Sequence, residues 1–302
     1  MTPSPQHGTP AGDATIAIRK LARQGGGDVQ ELMVLYALEG LLARVALSEY
    51  RDDFVLKGGV LLAAFAVRRP TKDIDFQAMR LDGDPGEVAG RVRSIAALDL
   101  ADGLAYDPAS VTATTIRDQD EYAGVRVKLT ATLGTARLSI GIDVNFGDPI
   151  LPEPQLIELP RVLDLGFMPV VLLGYPLTMV LAEKIVTAVD RGVANTRWRD
   201  FADVYTITRL HAVGADELRA SLVTVAEYRR VTLRPMLPAL SMMGEMAQEK
   251  YRAWRTRSNR EDELPAEFSS LLTTVASFSD PALLGTAVGK WNPRFGGWSR
   301  GS

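Results

Sequence analysis

Apolar and polar positions along the chain change period several times, and each change marks an element. Over 29–49 apolar residues recur at Leu32, Leu35, Tyr36, Leu42, Val45 and Ala46, the period of a helix lying on a core, with Asp28 placed as its N-cap. A shorter helix is predicted over 14–24, stopped by Gly25-Gly26-Gly27. Phe54, Val55 and Leu56 read as a short strand, an apolar helix follows over 59–67, and Pro70 ends it. The next strand carries Asp73-Ile74-Asp75. A helix is predicted over 87–97 and a strand over 109–117. Strict alternation then sets Val125, Val127, Leu129 and Ala131 on one face of 124–133, with Arg126, Lys128, Thr130 and Thr132 on the other. After a turn at Gly134 it repeats over 137–146. There Leu138, Ile140, Ile142 and Val144 oppose Ser139, Gly141, Asp143 and Asn145.

Beyond this hairpin the pattern becomes helical. The proline-rich stretch 148–170 is expected to cross between two domains, followed by helices over 178–191, 215–230 and 238–257. The ends, 1–13 and 291–302, are expected to lack fixed structure. The fold class is α+β: a mixed sheet with flanking helices over 14–165, and a mostly helical domain over 166–302.

Composition narrows the chemistry. The chain of 302 residues has no cysteine, which excludes disulfides, zinc–thiolate sites and thiol nucleophiles. Its two histidines, His7 and His211, leave little for a histidine-based centre. The most apolar stretch, 167–182, is interrupted by Pro169, Gly174 and Pro176, so no membrane span is expected, and the N-terminus lacks a signal-peptide pattern. A cytoplasmic location is the expectation. Net charge is −3, but it is uneven: residues 1–160 hold 16 Lys/Arg against 22 Asp/Glu, and 161–302 hold 18 against 15. An acidic first half and a mildly basic second half suit an enzyme that handles polyanions through local fields.

The candidate chemistry lies in 54–76. Side chains at i and i+2 share a strand face, so Asp73 and Asp75 point the same way. Two carboxylates so placed repel unless a cation relieves them, and Mg²⁺ (or Mn²⁺) accepts such a pair while keeping coordination sites for phosphate. Gly58 and Gly59, before a helix and separated from Asp73 by thirteen residues, would let phosphate approach backbone N–H groups. Together these suggest a site for a metal-bound NTP. Lys57, with Arg68 or Arg69, would balance triphosphate charge. The alternative reading is a packing unit with two surface aspartates.

The string Leu56-Lys57-Gly58-Gly59, then Arg69, Thr71 and Asp73-Ile74-Asp75-Phe76, resembles the signature of DNA polymerase β-like nucleotidyltransferases. Within them it is similar to the AbiEii/AbiGii (MenT-like) toxins of toxin–antitoxin and phage-defence systems. The resemblance covers about 50–210. It implies that Asp143, on a strand beside the Asp-x-Asp strand, is a third metal-site acid; the other reading is an aspartate on a solvated strand face. Lys184 interrupts the apolar stripe Val180, Leu181, Ile185 and Ala188, so it either snorkels, pairs with a nearby acid or meets a buried anion. The resemblance assigns it to nucleotide phosphate and requires a following aspartate, for which Asp200 matches best and Asp203 is the rival. It also implies that an antitoxin, either kinase-like or a transcriptional regulator, restrains the enzyme. Phosphorylation of Thr71 would add nearly two negative charges beside the metal site. Lys250, Arg252, Arg255, Arg257 and Arg260 lie among Tyr251 and Trp254, a mixture suited to RNA backbone contact and base stacking. The implied activity is a toxin that transfers NMP from an NTP to the 3′ acceptor end of tRNA and blocks aminoacylation. The alternatives are a nucleotidyltransferase acting on a small molecule or protein hydroxyl, and a non-catalytic NTP-binding module. Neither the base nor the tRNA is legible.

Overall fold

A helix buried on nearly every side anchors the first half of the chain. The computed structural model describes residues 6–25, 27–68, 71–117, 123–195, 197–240 and 242–300. Among these, α1 spans Pro10–Gly25 and α2 Val29–Leu47. Asp28 caps α2 as expected, accepting from the N–H groups of Gln30 (2.6 Å) and Glu31 (3.0 Å). Of the tail expected over 1–13, residues 1–5 lie outside the described residues, and Pro10–Asp13 form the first turn of α1 instead.

Strand β1 (Phe54–Lys57) runs directly into a short helix α3 (Gly58–Leu61) and a 3₁₀ turn (Leu62–Phe65). The segment is shorter than the predicted helix. It stops at Ala66, whose φ of 58° places it in the left-handed region; Arg69 and Pro70 lie outside the described residues. Strand β2 spans Asp73–Ala78, α4 Pro85–Ala96, β3 Leu104–Arg117, β4 Ala123–Leu133, β5 Ala136–Phe146, β6 Gln155–Leu159 and β7 Val170–Gly174. The seven strands form one mixed sheet in the order β3-β4-β5-β2-β1-β7-β6, parallel at β2/β5 and β1/β7. The alternating side chains of the hairpin fall as their pattern requires: Val125, Val127, Ile142 and Val144 are buried, as are Ile74 and Phe76 on β2. Helix α2 packs on β5 and β7, and α4 on β3 and β4.

Two compact units divide the chain: 1–148 with 154–175, and 149–153 with 176–302. The division differs from the boundary expected at 165/166, and 148–170 is not simply a crossing. It supplies β6, whose partner β7 pairs with β1 and so belongs to the sheet. Prolines flank these strands rather than interrupting them, which is where a ladder tolerates them.

The second unit is mostly helical: α5 (Leu177–Arg191), α6 (Trp198–Leu210), α7 (Ala215–Tyr228), α8 (Met236–Leu240), α9 (Met243–Met246), α10 (Gln248–Arg257) and α11 (Phe268–Leu284). The helix predicted over 238–257 is thus three short ones. The expected loose tail at 291–302 is instead largely structured. There β8 (Val213–Gly214), β9 (Lys290–Asn292) and β10 (Gly297–Ser299) make a three-stranded sheet. Trp291 is buried and donates from Nε1 to the Thr208 carbonyl at 2.7 Å, while Trp298 stacks on Phe278. Aromatic burial supplies the order that the glycine and proline content argued against.

Candidate active site

The site is built on one row of the sheet. In the registers of β1, β2, β5 and β4, Lys57 stands opposite Asp75, Asp75 opposite Asp143, and Asp143 opposite Arg126. Register partners share a face, so all four side chains rise from the same side. Asp73 lies one step along that face, opposite Gly141. Asp73, Asp75 and Asp143 are therefore brought together, while Ile74 is fully buried between the two aspartates.

Two glycines make the space. Gly58 has φ +69°, and a Cβ on it would overlap the Asp75 carboxylate. The N–H of Gly59 donates a hydrogen bond to Asp75. A Cβ on Gly141 would overlap Asp73. The paired glycines at 58–59 thus admit and hold a carboxylate. Gly141 does the same from the neighbouring strand, a role the alternation of 137–146 had not distinguished from filler.

The charges are unevenly compensated. The Asp75 carboxyl is pushed up to about 6, first by burial and then by Asp143, with Lys57 and the Gly59 N–H pulling it back. Lys57 is buried, 6 % exposed, and its ammonium lies 3.1 Å from Asp148, 3.4 Å from the Tyr175 hydroxyl and over the Tyr175 ring. Expected as a triphosphate ligand, it is a buried counter-charge beside its register partner Asp75. Gln77, with its amide turned to satisfy its hydrogen bonds, donates to Asp148 at 3.2 Å and accepts from the Gly147 and Asp148 N–H groups. No motif in the sequence marks Asp148, Gln77 or Tyr175.

The remaining predicted residues fall as follows. Arg68, expected to balance phosphate charge, pairs with Glu39 at 2.6 Å and donates to the Pro160 carbonyl at 2.7 Å. Burial raises Glu39, and Arg68 opposes that shift. Thr71, half-buried, donates to the Asp73 carbonyl at 3.3 Å and steadies the entry to β2. In the second unit Lys184 pairs with both rival aspartates, Asp200 at 2.7 Å and Asp203 at 2.9 Å. Asp203 is fully buried, whereas Asp200 keeps 18 % of its side chain exposed. Base stacking on α10 is overturned: Tyr251 and Trp254 are buried against each other, and Tyr251 also packs on Phe268. Arg260 is buried beside Glu263 and Thr206, and Arg255 is half-buried and bonded to the Glu261 carbonyl. Lys250, Arg252 and Arg257 remain exposed.

The donors at Asp73 and Asp75 fit a divalent cation. Both are hard oxygen ligands, and a cation there would offset the burial and like-charge crowding that together hold Asp75 high. Asp143 is placed differently. Arg126 grips both its oxygens, at 2.7 and 2.6 Å. Among the described residues no group of three acidic, His or Cys side chains is disposed to hold a metal ion. The three-carboxylate set expected from the sequence is adjacent but not assembled around one point.

This fold is that of a nucleotidyltransferase. A solved nucleotidyltransferase from Helicobacter pylori, described as putative, aligns with a TM-score of 0.50 at 14% identity, covering 86% of this chain and 98% of that one. MenT4, a nucleotidyltransferase toxin of Mycobacterium tuberculosis, aligns at 0.51 and 18% identity, covering 89% and 98%. No protein of curated function matches by sequence. The model of the AbiEii nucleotidyl transferase toxin family, type IV toxin–antitoxin systems, matches residues 40–278, and the chain belongs to that family. No helix among the described residues is long and apolar enough to cross a membrane.

Proposed function

We propose that the chain moves a nucleoside monophosphate from an NTP to the 3′ acceptor end of tRNA, releasing pyrophosphate, and that this transfer is its toxic act. The observation that carries the reading is the register that sets Asp75 against Asp143, with Asp73 one step away and glycines 58 and 141 leaving room for those carboxylates. Asp73 and Asp75 would hold the cation, Mg²⁺ or Mn²⁺. When bound it neutralises triphosphate charge and acidifies the attacking hydroxyl. The chain's own part is positioning. The Gly59 N–H fixes the Asp75 carboxylate, Lys57 beside it offsets its charge, and Asp143 stands on the other side as the third acid. Such preorganised charge is the main catalytic resource for this class of transfer.

Lys184 and Asp200 are assigned to the same reaction on the strength of the family pattern and because both side chains reach solvent, which Asp203 does not. Lys250, Arg252 and Arg257 are assigned to RNA phosphates, supported by their exposure on one short helix. The partners that follow are tRNA and a cognate antitoxin, in the cytoplasm where tRNA and NTPs meet. Thr71 is the position proposed for phosphorylation.

The test is incubation with each α-labelled NTP and a divalent metal, with and without total tRNA. Label is expected at the 3′ end of tRNA, and it should vanish with Asp73→Ala. Label on the protein itself or on a small molecule, or transfer that survives Asp73→Ala, would overturn the assignment.

A further inference from the structure

One side chain from the polar face of the alternating strand β4 is built into the aspartate row. Arg126, on β4, takes both oxygens of Asp143 at once, Nε to Oδ1 at 2.7 Å and Nη2 to Oδ2 at 2.6 Å. Read across β1, β2, β5 and β4, the row is a cation, two anions and a cation: Lys57, Asp75, Asp143, Arg126. Its two ends are unlike. Lys57 is buried with Asp148 and Tyr175 among its partners, whereas 45 % of the Arg126 side chain is exposed. Asp73 and Asp75 also act on the guanidinium electrostatically. One cation is therefore internal, and the other stands where solvent reaches it.

We propose that Arg126 is a resident counter-cation that keeps bare metal ions off Asp143 and yields to a metal-bound triphosphate. The inference rests on reading the row as a metal-dependent nucleotidyltransferase site. A carboxylate held in a bidentate pair has both oxygens engaged by hydrogen bonds directed at their lone pairs. A divalent cation needs one of those oxygens at bonding distance, and it also repels the guanidinium. Asp143 consequently joins Asp73 and Asp75 only after Arg126 lets go of at least one oxygen. An ion pair this exposed is weak, so release costs little. A freed guanidinium is a planar fork that matches a phosphate as well as it matched the carboxylate. A lone cation offers Arg126 nothing in exchange, but a metal–NTP complex brings both the metal for Asp143 and a phosphate for the arginine. The site would then admit the metal and the nucleotide together rather than in sequence.

The experiment is Mn²⁺ binding to the full-length protein, followed by the electron paramagnetic resonance signal of free Mn²⁺, without nucleotide and then with a non-hydrolysable NTP analogue. The proteins compared are wild type, Arg126→Ala, Arg126→Gln, Arg126→Lys and Asp75→Ala, with circular dichroism to establish folding. Arg126→Ala and Arg126→Gln should bind Mn²⁺ on the order of fivefold tighter than wild type without nucleotide, the scale of losing one exposed competing ion pair. Arg126→Lys, charged but without the fork, should fall between. With the analogue present the advantage should vanish or reverse. Because glutamine preserves most of the side-chain stem, it carries the test if the alanine variant does not fold. Mn²⁺ binding that needs Asp75 but is unchanged or weakened in the Arg126 variants overturns the arginine's role and leaves the nucleotidyltransferase reading standing. An advantage that persists undiminished with the analogue also overturns the exchange. Binding that is absent throughout, or indifferent to Asp75, overturns both.

Discussion

Asp75 faces Asp143 across the parallel register of β2 and β5, and both stand on the side of the sheet away from Ile74 and Val144. Burial, with the nearness of Asp143 added to it, is why Asp75 holds its proton to about 6 where an ordinary aspartate gives it up near 3.8. The folded protein therefore binds this proton more tightly than the unfolded chain does. Stability must fall as pH rises through that window, with no penalty below it and the full penalty above it. The scale is up to about 3 kcal/mol. In metal-free buffer, Asp75→Asn should gain on wild type in urea unfolding as pH is raised from about 3.8 to about 6. Mg²⁺ should stabilise the wild type above that range and leave the variant unmoved. A stability difference that stays flat with pH would remove the electrostatic account.

Gly58 and Gly141 both make room for an aspartate, but substitution should separate them. At Gly58 the backbone has φ +69° and the obstructing group is the Asp75 carboxylate, fixed by the Gly59 N–H. Alanine there meets a strained backbone, about 1–2 kcal/mol, and a steric overlap besides. Gly58→Ala should lower the melting temperature and abolish transfer. At Gly141 no positive φ is involved and Asp73 is exposed, so its side chain can swing aside. Gly141→Ala should keep stability within about 1 kcal/mol of wild type, as most substitutions free of a special mechanism do, yet lose transfer because Asp73 is displaced. Equal melting temperatures for the two variants would contradict this division.

Lys57 is placed to hold the unit together as well as to tune Asp75. Both it and Asp148 are largely withdrawn from water, with side chains 8% and 12% exposed. Removing one member of such a pair strands the other's charge and typically costs about 3–5 kcal/mol. Lys57→Met should therefore unfold at markedly lower urea, before any effect on nucleotide affinity is considered. Adding Asp148→Asn should return part of the loss, since the stranded charge goes with it. A Lys57→Met protein of wild-type stability with only a raised KM for NTP would restore the phosphate-ligand reading.

The strands of the active site and their faces were legible because the cues were local. The alternation over 124–146 assigns faces directly, and Asp-Ile-Asp between apolar residues announces a strand whose polar face is not ordinary surface. What could not be read was partnership. Whether Asp143 sits beside Asp73 or Asp75 is a matter of register between strands about seventy residues apart in sequence, and nothing local sets it. Arg126 looked like any polar residue on an alternating strand. Tyr251 and Trp254 show the opposite failure. Their spacing with basic residues suggested a nucleic-acid surface, but a separation of three on a helix also puts two aromatics on one buried face. Lys184 was left open between snorkelling, a nearby acid and a buried anion, because the acids that meet it lie sixteen and nineteen residues away on another helix.

That lysine gives the final discrimination. Lys184 Nζ lies 2.7 Å from Asp200 and 2.9 Å from Asp203, on the same face of α6 one turn apart. The two aspartates differ in access: Asp203 is fully enclosed, while Asp200 is partly open. A buried carboxylate beside a lysine is chiefly a structural partner, whereas an accessible one can also meet a substrate. Asp203→Ala should therefore cost on the order of 3 kcal/mol or more of stability, as loss of a buried ionic partner does. Asp200→Ala should cost about 1 kcal/mol or less, the range of a partly screened pair, and still lose tRNA labelling. Melting temperature and transfer measured on both variants decide it. If Asp200→Ala keeps full activity while a folded Asp203→Asn protein loses it, the roles must be exchanged, and exposure was the wrong guide to function in this pair.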